Sequence, residues 1–92
     1  MQRKWGAPAA RRVAQRLQEL EAATSLEDMR LLPGARCHEL VGDRKGQLAA
    51  EAGPGLRLIL EPDHNPPPTR PDGGLDWSAV EAVEVIELVD YH

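Results

Sequence analysis

The chain ends in three residues able to do chemistry together: Asp90, Tyr91 and His92, a carboxylate, a phenol and an imidazole side by side. They follow Ala82 to Val89, AVEVIELV, a run whose β-branched content predicts a strand. Successive strand side chains point to opposite faces, so Asp90 and His92 are expected to share one face and Tyr91 to take the other. Imidazole titrates nearest neutral pH, and a carboxylate on the same face makes it half of an acid–base pair. Chain ends are also the commonest place for a solvated tail, and position alone leaves both readings open.

A cation is the other requirement for chemistry at a phosphate. Arg57 sits inside the apolar run Leu56 to Leu60, LRLIL. Its charge must either reach the surface or meet a partner, because burying it alone is very unfavourable. Gly42 to Gly46, GDRKG, sets Arg44 and Lys45 between two glycines. Such a turn can approach a phosphate, with the arginine supplying a two-pronged donor. The same composition also describes an ordinary charged hairpin tip. It lacks the spacing and the Ser/Thr of a P-loop. Cys37 and His38 are neighbours on a predicted strand, so they point to opposite faces and do not share a metal easily. Cys37 reads as a small buried hydrophobe. No metal site and no cofactor are expected.

These groups need elements to position them. Pro8 suits the first turn of a helix. Ala10, Val13, Leu17 and Leu20 follow as one apolar stripe, predicting a helix over 8–23. Arg12 and Arg16 lie on its polar side. Thr24-x-x-Glu27 and Ser25-x-x-Asp28 both match a capping box, predicting a short second helical turn over 26–30. Three strands are then expected over 36–41, 47–52 and 56–61, joined by GDRKG and by Gly53-Pro54-Gly55. Residues 62–76 hold five of the eight prolines, a long surface excursion before the last strand. Helix first and antiparallel meander after predicts an α+β domain of about four strands occupying residues 1–92.

Composition narrows the classes. With 92 residues there is one modest core, and with no Phe it must be aliphatic. No apolar stretch is long enough for a membrane span, and no signal peptide is evident. One cysteine excludes an internal disulfide and fits a reducing cytoplasm. The net charge is −4, yet the first 16 residues carry five bases and no acid. A basic helix on an acidic body can offer a local face to an anion such as RNA, whereas the overall charge disfavours a strong sequence-independent nucleic-acid binder.

Taken together, the motifs resemble a known family. The string Leu17-x-x-Leu20-x-Ala22-Ala23-x-Ser25-Leu26-x-Asp28-Met29 comes first. Pro33-Gly34-x-Arg36-Cys37-His38-x-Leu40-x-Gly42-Asp43-Arg44-Lys45-Gly46 follows. Arg57-Leu58-Ile59, Asp76-Trp77 and the terminal Asp90-Tyr91-His92 complete it. These look like HigB toxins, the plasmid maintenance killer branch of the RelE/ParE superfamily. The resemblance covers about Arg11 to His92. It implies a RelE-like fold and a ribosome-dependent mRNA endonuclease of a type II toxin–antitoxin pair. It also implies a helix-turn-helix antitoxin of the HigA type as partner, with the ribosome and mRNA as targets. By the same resemblance Asp90, Tyr91, His92 and Arg57 are the catalytic candidates, and Arg12, Arg16, Arg44 and Lys45 the RNA-binding ones. Family members carry a strand ahead of the point where this chain starts, so a shortened N-terminus and an unpaired sheet edge are expected. A toxin-like module that binds antitoxin without cleaving RNA is the alternative.

Overall fold

The computed structural model describes residues 11–52 and 55–90, excluding the side chain of Asp90. Helix α1 spans Arg11–Ala22 and buries Val13, Leu17 and Leu20. That is the expected stripe; its Ala10, with Pro8, lies outside the described residues. A 3₁₀ turn, Leu26–Leu31, continues from it and buries Leu26 and Met29. The expected Ser25–Asp28 capping box does not form, and the acid reaches one residue further back instead. The Asp28 carboxylate accepts from the Thr24 N–H at 2.8 Å, while the Ser25 side chain makes no capping bond.

Four strands follow: β1 (His38–Glu39), β2 (Leu48–Glu51), β3 (Leu56–Pro62) and β4 (Val83–Asp90). They form one antiparallel sheet in the order β1-β2-β3-β4. The described residues thus form an α+β domain of one α-helix and a four-stranded meander. Strand β1 is far shorter than the predicted 36–41. Arg36 adopts left-handed φ and ψ of 44° and 42°, which breaks the extended backbone just ahead of it. At its other end the 3₁₀ turn Gly42–Arg44 already begins.

One face of the sheet carries the core. Leu48, Ala50, Leu58, Leu60, Val83 and Val85 pack with the buried residues of α1, with Leu26 and Met29 and with Trp77. Trp77 belongs to a short 3₁₀ turn, Trp77–Ala79, whose start is fixed by the Asp76 side chain accepting from the Ser78 N–H and hydroxyl. Its indole N–H donates to Glu39 at 3.1 Å, and the Arg30 guanidinium stacks 4.0 Å from the ring centroid. The proline-rich excursion is a folded loop. Arg70 and Gly74 close a tight turn, Thr69 bridges Leu75, and the Asp76 N–H returns to the Pro68 carbonyl.

Strand β4 contains the irregularity that matters most. Ile59 pairs with Glu87, but the next residue, Leu60, pairs with Val85. Ile86 is the extra residue of a β-bulge and is 40% exposed. A bulge inverts the alternation beyond it. Val83 and Val85 face the core before it and Leu88 after it, while Glu87 and Val89 move to the other side.

Candidate functional site on the open face of the sheet

The sheet face away from α1 collects most of the charged side chains of the strands. Antiparallel partners share a face, so the register gives two rows directly. His38, Ala49, Ile59 and Glu87 form one row across all four strands. Glu51, Arg57 and Val89 form the next. Glu61 and Glu84 stand opposite each other two positions along β3 from Ile59. Ala49 and Ile59 are 1% and 2% exposed although they lie outside the helix-side core, so this face is covered rather than bare.

Arg44 supplies part of that cover. Its guanidinium donates from Nη1 to the Gln47 side-chain oxygen at 3.0 Å and from Nη2 to the Glu87 carboxylate. It therefore spans from the start of β2 to β4, across the strand that bears Ile59. Gln47 in turn donates to Glu61 at 3.4 Å, a long bond. Lys45, next in the turn, is exposed.

Arg57 is half-buried, with its Nε buried. It stands opposite Glu51 on β2 and Val89 on β4. The carboxylate across from it answers the question its position raised in the sequence: the charge in the apolar strand has an acidic cross-strand neighbour. The Asp90 backbone pairs with Leu56, the residue before Arg57 on β3. Strands β3 and β4 are neighbours, as expected. The side chain of Asp90, and Tyr91 and His92 entirely, lie outside the described residues.

The four RNA-binding candidates do not form one patch. Arg16, with a side chain only 16% exposed, donates from Nε to the Glu51 carbonyl at 2.7 Å and from Nη1 to Glu19 at 2.6 Å. It fastens α1 to the end of β2. Arg12 is exposed on α1. Arg44 is bonded on the opposite side of the sheet.

Two histidines outside the catalytic candidates, His38 and His64, also lie near this face. His38 stands on the open face, and its Nδ1 lies 2.8 Å from the Arg36 carbonyl. A carbonyl only accepts, so Nδ1 carries the proton and Nε2 of the neutral ring is an acceptor, able to take a proton. His64 lines a cleft of about 370 Å³ with Arg44, Lys45, Gln47 and Glu61. A second cleft, about 470 Å³ and lined by Leu40, Val41, Lys45, Pro67 and Leu75, lies on the other side of the Lys45–Gly46 turn. The positions of both histidines depend on the left-handed Arg36 and on the fold of the proline-rich loop, which no local pattern announces. Cys37 faces inward against the core. Burial pushes its thiol up to about 12, with Arg30 and Arg16 drawing it partly back. A thiol so protonated is a poor nucleophile.

Among the described residues, no three His, Cys, Asp or Glu side chains converge as a metal set. None of their helices is long and apolar enough to cross a membrane. Against known proteins the chain matches no family model, no curated protein and no solved structure.

Proposed function

We propose that the chain is a HigB-like, RelE-type toxin domain that cleaves mRNA on the ribosome and is held in check by a helix-turn-helix antitoxin. One observation supports the proposal beyond its motifs: β4 pairs with β3, with Val89 opposite Arg57 and Asp90 opposite Leu56. The terminal Asp90-Tyr91-His92 is thereby joined to the strand that neighbours the buried-strand arginine.

RNA cleavage by in-line attack of a 2′-hydroxyl needs a proton acceptor, a proton donor for the leaving oxygen and a cation for the charge on phosphorus. In the proposal, His92 and Asp90 handle the protons, Tyr91 stacks on a base or donates a proton, and Arg57 stabilises the phosphorane. His38, whose Nδ1 is held to the Arg36 carbonyl, adds a second imidazole on the Arg57 face, with Nε2 as the proton acceptor in its neutral form. No cofactor is needed for these steps. Lys45 and Arg12, both exposed, supply phosphate contacts.

The second reading, a module that binds antitoxin without cleaving RNA, has its own support. The open face brings Glu51, Glu61, Glu84 and Glu87 to the same side as Arg57 and Arg44, and Arg44 is already bonded to one of them. A phosphate approaching that face meets carboxylates as well as cations. Co-expression with a helix-turn-helix antitoxin, followed by primer extension on ribosome-bound mRNA after the antitoxin is removed, separates the two. Cleavage supports the toxin; a stable complex without cleavage supports the module.

A further inference from the structure

We propose that His64 is a proton-sensitive latch that holds the proline-rich loop closed. The loop between β3 and β4 is fastened at its base by two hydrogen bonds. The Asp63 N–H donates to the Ala82 carbonyl at 2.9 Å. Beside it, the Glu81 N–H donates to Nε2 of His64 at 3.0 Å.

The second bond has a chemical condition that the first lacks. A ring nitrogen accepts only when it bears no proton, so this bond requires neutral imidazole with its hydrogen on Nδ1. Protonation turns Nε2 into a donor that faces another donor. The bond is then lost and replaced by an N–H to N–H opposition. The latch is closed while the ring is neutral and open once Nε2 carries a proton.

The charged groups around the ring come from three elements. Asp63 and Glu81 flank it in the loop, Glu61 comes from β3, and Asp43, Arg44 and Lys45 come from the turn across the shared cleft. The consequence of opening follows from what the loop carries. His64 and Pro67 wall the first cleft, and Pro67, Thr69 and Leu75 wall the second. Loss of the His64 bond leaves the Asp63–Ala82 bond in place and frees the ring that walls the first cleft beside Lys45. The inference stands apart from the RNA reading, because it rests on one donor–acceptor pair and the loop that this pair closes.

The test is NMR on the intact chain. The nitrogen shifts of His64 in the neutral state report its tautomer, and the Glu81 amide reports its own protection. The expected result is the Nδ1–H tautomer, with Glu81 amide protection falling roughly fivefold, the equivalent of one ordinary hydrogen bond, as His64 protonates. His64→Gln, whose side-chain oxygen accepts at every pH, should abolish that pH dependence, while His38→Gln should leave it intact. An Nε2–H tautomer in the neutral ring overturns the proposal. So does Glu81 protection that is unchanged through the titration, or that keeps its pH dependence in His64→Gln.

Discussion

The guanidinium of Arg44 is bonded to the carboxylate of Glu87, 43 residues away and on the far side of β3. This pair decides how available the basic turn is to an anion. Both side chains are close to half exposed, at 47% and 43%, so water and salt screen the attraction and the pair contributes roughly 0.2–1 kcal/mol of stability.

Glu87→Ala should therefore leave the fold nearly unchanged and release Arg44. The expected gain is in RNA binding. The slope of log affinity against log salt should steepen by about 0.7, the contribution of one extra phosphate contact on a single strand. Adding Arg44→Ala should return it to the starting value. Titrations of a short single-stranded RNA at several salt concentrations give the slopes directly; an unchanged slope in Glu87→Ala means the turn does not meet phosphate.

Arg16 should behave in the opposite way. Its guanidinium holds the Glu51 carbonyl and the Glu19 carboxylate and is largely shielded from solvent. Arg16→Ala should lose about 1.5–3 kcal/mol, the range for a hydrogen bond involving a charged group, with RNA affinity and its salt slope unaltered. Urea unfolding measures the first and the RNA titration the second. A weakened salt slope with unchanged stability would return Arg16 to the binding surface.

Cys37 gives a prediction in pH. Its thiol is pushed from 9.0 up to about 12 by burial. Above pH 9 the unfolded chain ionises this thiol while the folded chain keeps the proton. Stability from this group is thus fully present below pH 9 and lost as the pH rises toward about 12. Unfolding free energies measured from pH 7.5 upward should fall more steeply for the native chain than for Cys37→Ala. The thiol should also resist alkylation near neutral pH unless the chain is unfolded.

Much of the architecture was legible because it rests on simple periods. Val13, Leu17 and Leu20 repeat at helical spacing and are buried as that spacing requires. The apolar run of β3 and the turn glycines placed the meander to within a residue or two. What escaped were features that depend on pairing. The bulge at Ile86 is one additional residue in β4, and from there on it exchanges the faces of the strand. Simple alternation back from the tail therefore could not tell which side Glu87 would take relative to Arg57. Arg36 in a left-handed conformation shortened β1 and turned His38 toward its carbonyl. The Arg44–Glu87 pair joins two segments that meet only after three strands have paired. The candidate residues were thus visible as types, but their grouping was set by register.

The central claim is that this small α+β domain cleaves mRNA on the ribosome through Arg57 and the terminal residues. Primer extension on translating ribosomes tests it most directly, with antitoxin binding as the control for folding. The account predicts cleavage by the wild-type chain. It also predicts a loss of about 10²–10⁴ in rate for His92→Ala, the usual effect of removing a general acid or base, and a marked loss for Arg57→Ala through the missing positive charge. Both variants should still bind antitoxin. A wild-type chain that binds antitoxin yet leaves ribosome-bound mRNA intact contradicts the account.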